Sequence, residues 1–500
     1  MNKVLFILIS FLIFDLNVLS QERLFFVNTQ SDICATKDKQ NTKVFDLDTS
    51  IYNNILNNRY QVLILDLPFF NDSLLLELRK FNVYSSNSSI YSKTESGDIL
   101  LDIKPTILSY KVILNNKEIG VFNFVNGTIL ASFKVNSKQY EITEFSEKYI
   151  LFEASNSINT SSFSCAVDSA VISNSYEQMQ VPSAAPSLTV CVELAIEIDQ
   201  YTRQTFASDL EAINWAFAIM AGVSQIYESE TNAAIQVVYT YVWNTTDPYS
   251  TWIAQSSAML SELKDYWQIN NAAVNRDLVH LMTKRSNTGT GGIAYLDALC
   301  STNWGYGFSS DLNNDTTFGF PNPSYTWNLF VCSHEIGHNF GAHHTHWCGW
   351  NPDATLTPPF PGGVIDNCVD VEGACANNPS PQLGTIMSYC HTTWGGATID
   401  FHEVVVSQAL DVGIANASCL TTCDYYGCTD SSAFNYDPNA TVDDGTCIPK
   451  IFGCLDNLAT NFDPLANTDD GSCTYCSEVI IDITDISCFG YNDGEINITI

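Results

Sequence analysis

The sequence HEIGHNFGAHH, which begins at His334, constrains this chain more than any other stretch. Because helical positions four residues apart share one face, a helix here would aim His334 and His338 at a single point. Glu335 follows the first histidine and is better placed to reach a water held at that point. Gly341 can take the positive φ that ends a helix, so that His344 returns as a third nitrogen ligand.

The spacing H-E-x-x-H-x-x-G-x-x-H predicts a zinc site with Glu335 as general base. The chain has eight histidines, and five of them lie between positions 334 and 346. A solvated, histidine-rich helix end is the plain alternative to a metal site. His343 and His346 are alternatives for the third ligand, although only His344 fits the spacing.

A second segment, GTIMSYCH, lies at Gly384 to His391 and places Met387 43 residues after His344. Together the two segments resemble the metzincin metalloproteases, and more narrowly their reprolysin-like (adamalysin-like) branch. The resemblance implies that Met387 forms the methionine turn beneath the zinc. Tyr389 occupies the place of the zinc-associated tyrosine of the astacin and serralysin branches.

The resemblance covers residues 188–423 and implies an α+β, metzincin-like catalytic domain with a twisted mixed sheet, an active-site helix and a Met-turn. Local patterns add strands at VCVELAIEID, AAIQVVYTYVW and RDLVHLMT. The expected helices and edge strand are Ser208 to Tyr227, a helix near Ser256 to Gln268, an active-site helix from about Thr326, and an edge strand within Gly291 to Cys300. An extended substrate would pair with that edge strand.

Residues 1–20 read as a secretory signal peptide, with Lys3 before a short apolar run. No later stretch approaches 18 uninterrupted apolar residues, so we expect no transmembrane anchor. The 17 cysteines agree with an oxidising, extracellular compartment. Five of them surround the predicted zinc site and are expected to form disulfides: Cys332, Cys348, Cys368, Cys375 and Cys390.

Residues 21–187 have a β-rich pattern between the leader and the predicted catalytic domain, and they resemble a propeptide. The sequence FSCAVD around Cys165 resembles a cysteine switch, because a thiolate can occupy the zinc position that the catalytic water needs. A disulfide between Cys34 and Cys165 is the alternative. The segment VPSAAPS, residues 181–187, has the composition of a linker.

The formal net charge of −34 argues against nucleic acid or an anionic membrane as partner, since both would be repelled. Residues 424–476 contain two acidic repeats, each with cysteines 19 residues apart, which look like thrombospondin type 3-like modules. Their oxygen-bearing side chains are candidates for calcium, with acidic turns held only by a disulfide as the alternative. The candidates are Asp437, Asn439, Asp443, Asp444, Asp463, Asp469 and Asp470.

Residues 477–500 resemble the incomplete start of an adhesin-type β-repeat of secreted bacterial proteins, which leaves association with a cell surface or matrix open. Two functions are therefore weighed. The first is a secreted zinc endopeptidase acting on protein or peptide substrates. The second is a surface adhesion or matrix-binding protein with a vestigial protease domain. The presence of Glu335 beside all three histidines favours the enzyme, because a site that only binds metal has no use for a base.

Overall fold

The computed structural model describes residues 18–27, 42–70, 72–155, 165–168, 189–313, 321–352, 362–375, 379, 383–393, 396–438, 440–475, 480–485, 487, 489 and 492–499. One compact unit comprises Asn17–Asp424, and a second contains Tyr425–Ile500. Most of the predicted leader, Cys34 and Asn439 lie outside the described residues. Helices and strands are mixed, as the α+β assignment requires.

The N-terminal part of the first unit is β-rich, in agreement with the sequence pattern, and contains a single described helix, α1 (Thr49–Asn58). Its strands are β1 (Val18–Glu22), β2 (Phe25–Val27), β3 (Thr42–Leu47), β4 (Val62–Phe69), β5 (Asp72–Phe81), β6 (Tyr84–Thr94), β7 (Gly97–Leu100), β8 (Leu108–Leu114), β9 (Lys117–Val125), β10 (Thr128–Val135), β11 (Lys138–Phe145), β12 (Lys148–Glu153) and β13 (Cys165–Asp168).

Ten of these strands form a sheet in the order β1-β4-β5-β8-β9-β10-β11-β12-β3-β2. Its pairs are antiparallel apart from β1 with β4. Short hairpins connect β8 to β12 in sequence, and their alternating side chains bury an apolar face that includes Tyr110, Phe122 and Phe133. Helix α1 contributes Tyr52 and Ile55 to the same core.

The elements after residue 189 alternate between strands and helices. They are β14 (Val190–Ile198), α2 (Gln200–Arg203), α3 (Asp209–Thr231), β15 (Ala233–Trp243), a 3-10 turn (Pro248–Thr251), α4 (Ser256–Asn270), β16 (Leu278–Met282), β17 (Gly292–Tyr295), β18 (Tyr306–Ser309), α5 (Ser324–Asn339), β19 (Gly384–Ile386), α6 (Cys390–Thr393), β20 (Ala397–Phe401), α7 (Glu403–Val405), a π turn (Val406–Leu410), α8 (Asp411–Asn416) and β21 (Thr421–Thr422).

A mixed sheet runs through this part in the order β13-β17-β18-β16-β14-β15-β6-β7, and β21 also pairs with β14. Three of its strands, β6, β7 and β13, come from the N-terminal region. The expected edge strand is therefore not an edge. It is limited to Gly292–Tyr295, and the parallel strand β13 pairs with the side opposite β18, so a segment distant in sequence satisfies its backbone groups.

Helices α3 and α5 lie against one another in the largest core. The Ser208 side chain accepts a hydrogen bond from Glu211 N and so caps α3, which explains why the helix begins where the sequence indicates. Close contact depends on Gly222, where a Cβ would lie 2.4 Å from a methyl carbon of Leu329. Helix α5 is thereby buried along its whole length apart from its first residue.

The N-terminal region also caps helix α5. Pro323 at the helix start makes no side-chain capping bond. Instead the buried Glu141 of β11 accepts hydrogen bonds from Thr326 N at 2.8 Å and Tyr325 N at 3.4 Å. A carboxylate at this position satisfies orphan amides and complements the helix dipole. Burial nevertheless raises the pKa of Glu141 to about 7, while its bonds to the helix oppose that rise.

Five cysteines near the histidines are expected to form disulfides, and four of them do. The bridges are Cys348–Cys375 and Cys368–Cys390. The fifth, Cys332, is a buried free thiol on α5, so that part of the expectation is wrong. Its position on the inner face of a helix explains this, because the sequence does not show which cysteines lie within bonding distance. The bridges Cys191–Cys423 and Cys300–Cys419 tie the end of the first unit back to its sheet.

The second unit contains three small two-stranded pairs: β22 (Tyr426–Gly427) with β23 (Val442–Asp443), β24 (Phe452–Gly453) with β25 (Thr468–Asp469), and β26 (Ile480–Thr484) with β27 (Glu495–Thr499). The disulfides Cys428–Cys447 and Cys454–Cys473 each span 19 residues and close the two acidic segments in the same way. A bridge of this kind supplies the stability that so short a segment cannot gain from a core of its own.

The interleaved strands and the Glu141 cap predict that cutting the chain within residues 181–187 leaves the two pieces bound. We would place a specific protease site there, cut the folded protein and follow both pieces by size-exclusion chromatography. Co-elution is expected.

Glu141→Ala should lower the free energy of unfolding by about 1–2 kcal/mol through loss of the cap. Glu144→Ala, an exposed position on the same strand, is the matched control. An equal loss of stability in Glu144→Ala would contradict the capping role, and immediate separation of the two cut pieces would contradict their predicted association.

Candidate metal centre

Helix α5 carries His334, Glu335 and His338 on its buried surface and ends at Asn339. The chain then reverses, since Gly341 has a φ of 98° and Ala342 N donates to Gly337 O at 2.9 Å. A side chain at position 341 would be strained at that φ, which is why the turn needs glycine. The reversal brings the following histidines back towards the helix.

The structure brings together His334, His338 and His344. One ring nitrogen of each lies within 4.8 Å of the others. Ring centroids are 4.9 Å apart for His334 and His338, 4.9 Å for His338 and His344, and 5.3 Å for His334 and His344. His343 does not belong to this group, because its ring stacks on Trp347 at a centroid distance of 3.8 Å.

Hydrogen bonds fix the orientation of two of these rings. His338 Nδ1 lies 2.7 Å from Ala342 O, so Nδ1–H donates to the carbonyl and Nε2 is left as a ligand. His344 Nδ1 lies 2.7 Å from Glu372 Oε1, which likewise assigns the proton to Nδ1. In both cases an outer partner selects the tautomer, as is usual for histidines that bind metals.

The three imidazoles suit a metal ion because they are both buried and neutral. Burial lowers the pKa of His334 and His338 well below the ordinary value, and a neighbouring imidazole lowers each further. Burial also lowers the pKa of His344, although its bond to Glu372 opposes the effect. A neutral imidazole offers a lone pair, and three such nitrogens are a donor set typical of catalytic zinc.

Glu335 is fully buried beside the histidines, and strand β17 makes room for it. A Cβ at Gly292 would lie 2.4 Å from Glu335 Oε1, so only glycine lets the strand and the carboxylate come this close. The base suggested by the motif thus lies between the metal-binding helix and the strand that could bind an extended peptide.

Met387 packs against helix α5 at Gly337. A Cβ at Gly337 would lie 2.9 Å from Met387 Sδ, and Met387 itself has a φ of 79°. Its carbonyl accepts from Thr345 N at 3.0 Å, which ties this turn to the segment carrying the third histidine. Two residues further on, the Tyr389 hydroxyl lies 3.3 Å from His344 Nε2 and so borders the cluster.

Glu372, which contacts His344 and His346, could not be predicted from the sequence. The same holds for His391, a buried ring packed against Trp327 and Phe330. No spacing rule links either residue to the motif. The one signal in the sequence was the nearby cysteines, which indicated that distant loops are held around the histidines.

Cys165 lies on β13 with its backbone paired to Gly292, although its side chain is outside the described residues. In the acidic segments, Asp443 and Asp469 accept hydrogen bonds from backbone amides two residues further on, as do Asp444, Asp463 and Asp470. Hydrogen bonds of this kind stabilise acidic turns, as the alternative of turns held only by a disulfide expects. Calcium binding and surface association therefore stay predictions of the sequence.

In the part of the chain that is described, no helix has the length and apolar composition needed to cross a membrane. Residues 189–398 match the family model Reprolysin_5, metallo-peptidase family M12. The match contains all three clustered histidines, Glu335 and Met387. It supports a zinc-dependent metallopeptidase domain, and the relationship is distant.

Among curated proteins, the disintegrin and metalloproteinase domain-containing protein adm-2 of Caenorhabditis elegans is 27% identical over 154 residues. The alignment covers 31% of this chain and 15% of that protein, so the chain spans only a small part of its relative. Among solved structures, metalloproteinase-II from Bacteroides fragilis matches with a TM-score of 0.33 and 10% identity, over 61% of this chain and 86% of that one.

The geometry predicts different outcomes for two neighbouring histidines. His338→Ala removes a central nitrogen, so the purified protein should lose bound zinc and gain no thermal stability when zinc is added. His343→Ala is the matched control and should keep both zinc and the stabilisation. Elemental analysis after dialysis, paired with thermal unfolding, would measure this. Loss of zinc from His343→Ala but not from His338→Ala would refute the assignment.

Proposed function

We propose that the protein is a secreted zinc-dependent endopeptidase. The observation that carries this proposal is the convergence of His334, His338 and His344 on one buried point, on a helix that also carries the buried Glu335 directly after the first histidine. The distant match of residues 189–398 to a metallopeptidase family supports it. Six disulfides among the described residues are compatible with an extracellular protein.

In this proposal His334, His338 and His344 hold the zinc through their ring nitrogens. When bound, zinc supplies a Lewis acid that acidifies a water and polarises a peptide carbonyl. The protein fixes its three nitrogens in advance: two are held by adjacent turns of α5, and the third by the turn that follows Gly341. Little reorganisation is then needed when the site fills.

Glu335 is proposed as the general base. Its carboxylate is buried, follows the first ligand directly on the helix and is held against Gly292. It would accept the proton of the attacking water and later deliver it to the leaving amine nitrogen. The hydroxyl of Tyr389, which borders His344, can donate a hydrogen bond to oxygen as negative charge develops there.

Strand β17 is proposed to bind the substrate backbone. An extended peptide could add to this strand, which lies next to Glu335 through Gly292. The described structure has β13 paired along the same side, with Cys165 opposite Gly292 and Asp168 opposite Tyr295. Substrate and β13 would therefore compete for one set of backbone groups, and the precursor would be latent until β13 leaves.

The vestigial-protease alternative is not favoured. A site that only binds metal for structure needs the three histidines but has no use for a general base beside them. Glu335 is retained at the second position of the motif and is fully buried. No feature of the described acidic segments points to a binding partner of their own.

Glu335→Gln tests the mechanism while preserving side-chain shape. Because Glu335 is not proposed as a ligand, the variant should keep its zinc while peptide hydrolysis falls by about 10²-fold or more. Glu403→Gln makes the same change at an exposed position and should leave turnover unaltered. Zinc content and cleavage of an unstructured protein substrate would be measured together. Undiminished turnover by Glu335→Gln would rule out this base.

Cys165→Ala tests the proposed latency. If the thiol alone maintains latency by occupying the zinc, the full-length variant should hydrolyse substrate before any cleavage, while the wild-type precursor stays inactive. If the pairing of β13 with β17 maintains latency, the variant should stay inactive until the chain is cut. Activation of the wild type should not require a basic residue, since no Lys or Arg lies between Lys148 and Arg203. Precursor activity and N-terminal sequencing of processed products provide the measurements.

Cys34→Ala separates the switch from the disulfide alternative. A bridge between Cys34 and Cys165 would make both substitutions destabilise the precursor alike, since removing a native disulfide commonly costs about 2–5 kcal/mol. A switch would make Cys165→Ala active and leave Cys34→Ala latent. A well-folded but latent Cys165→Ala would eliminate the thiol as the sole cause of latency and would favour the pairing of β13 with β17.

A further inference from the structure

Glu372 lies where it can control the third imidazole of the cluster. Its Oε1 is 2.7 Å from His344 Nδ1 and 3.2 Å from His346 Nε2. The rings of His344 and His346 lie nearly parallel, 5.0 Å apart, so one carboxylate oxygen can accept an N–H from each. Both histidines are buried, whereas the side chain of Glu372 is 40% exposed.

The backbone around Glu372 is built to hold it there. Glu372 N donates to His346 O at 2.9 Å, and Cys348 N donates to Glu372 O at 2.9 Å. The disulfide Cys348–Cys375 closes the same pair of segments. Because none of these bonds uses the Glu372 side chain, the segment should keep its conformation when that side chain is changed.

His344 needs such a partner more than the other two histidines do. His334 and His338 are fixed by the helix, and His338 also donates to Ala342 O within the adjoining turn. His344 lies beyond Gly341, outside the helix, and its backbone is held by a bond from Trp350 Nε1 to His344 O at 2.8 Å. Without an acceptor for Nδ1–H, no hydrogen bond on that side of the ring would fix its tautomer and its final orientation.

We propose that Glu372 is a positioning residue for the metal centre: its carboxylate holds the His344 ring in the tautomer and rotation that direct Nε2 to the ion. The inference rests on the proposed function in that it takes His344 as a zinc ligand. The carboxylate acts through the imidazole and does not touch the ion. Outer carboxylates of this kind orient histidine ligands, and their loss typically weakens metal binding by about 10- to 100-fold.

A second reading of the same residues is a separate metal group, since nitrogen and oxygen atoms of His344, His346 and Glu372 also lie within 4.8 Å of one another. That reading fits less well, because the 2.7 Å separation of Nδ1 and Oε1 is that of a hydrogen bond and leaves no room for an ion between them. The two readings predict different zinc stoichiometry. Positioning requires one equivalent with weakened affinity, whereas a separate group requires a second equivalent that depends on Glu372.

The test uses the full chain with Glu372→Ala, Glu372→Gln and the control Asp370→Ala. Zinc affinity is measured by competition with a chromophoric chelator, and ligand geometry by the visible spectrum of the cobalt-substituted protein. We expect Glu372→Ala to bind zinc about 10- to 100-fold more weakly and to shift the cobalt spectrum. Glu372→Gln, whose amide oxygen can still accept from Nδ1–H, should recover most of the affinity. Asp370→Ala, which removes an equal charge from an exposed position of the same segment, should change neither.

Unchanged affinity in Glu372→Ala overturns the proposal, as does an equal loss in Asp370→Ala or a second zinc equivalent lost with Glu372. If Glu372→Ala does not fold, Glu372→Met, which keeps the length of the side chain but has no oxygen to accept from Nδ1–H, replaces it and should show the same weaker zinc binding. The test separates failure of this inference from failure of the proposed function. If zinc affinity depends on Glu372 but the protein cleaves no peptide, this inference holds and the peptidase function is wrong. If the protein cleaves peptides but its zinc affinity does not depend on Glu372, the peptidase function holds and this inference is wrong.

Discussion

Burial of helix α5 is the constraint on which the rest of the structure depends. The helix that carries His334, Glu335 and His338 has its polar side chains inside the protein, where every unsatisfied group would be destabilising. Its surroundings supply partners on several sides. Tyr227 on α3 donates to the Ser333 carbonyl at 2.9 Å, while the side-chain amide of Asn339 donates to carbonyls of both β17 and β18. The helix is thus held in place by contacts that do not involve a metal.

The N-terminal region takes part in that burial as well as forming a sheet and core of its own. Glu141 satisfies amides at the start of α5, and β6 extends the mixed sheet beside β15. At the other end of the sheet, β13 covers the strand that lies next to Glu335. If β17 binds substrate as proposed, a region that both supports the histidine-bearing helix and covers this strand would couple folding to latency, since the same contacts would complete the core and close the site.

Local features of the site could be predicted from the sequence, and long-range ones could not. Helical spacing anticipates the grouping of His334 with His338, and the glycine that ends the helix anticipates the return of His344. Alternating and helical patterns likewise anticipate β15 and α3, whose side chains face a core. The insertion of β13 beside β17 depends on pairing between segments more than a hundred residues apart, for which a single sequence carries no periodic signal.

The contact between Glu372 and His344 could not be predicted for the same reason, and it shows how the three histidines differ. Two of them are placed by one helix and need no distant contact to share a face. The third depends on a loop whose position is fixed by backbone pairing and by the bridge Cys348–Cys375. Reducing that bridge would loosen the segment that carries Glu372 and leave the third ring without its outer partner. The proposed metal centre is therefore best maintained where disulfides persist, so the geometry of the site depends on the redox state of the compartment.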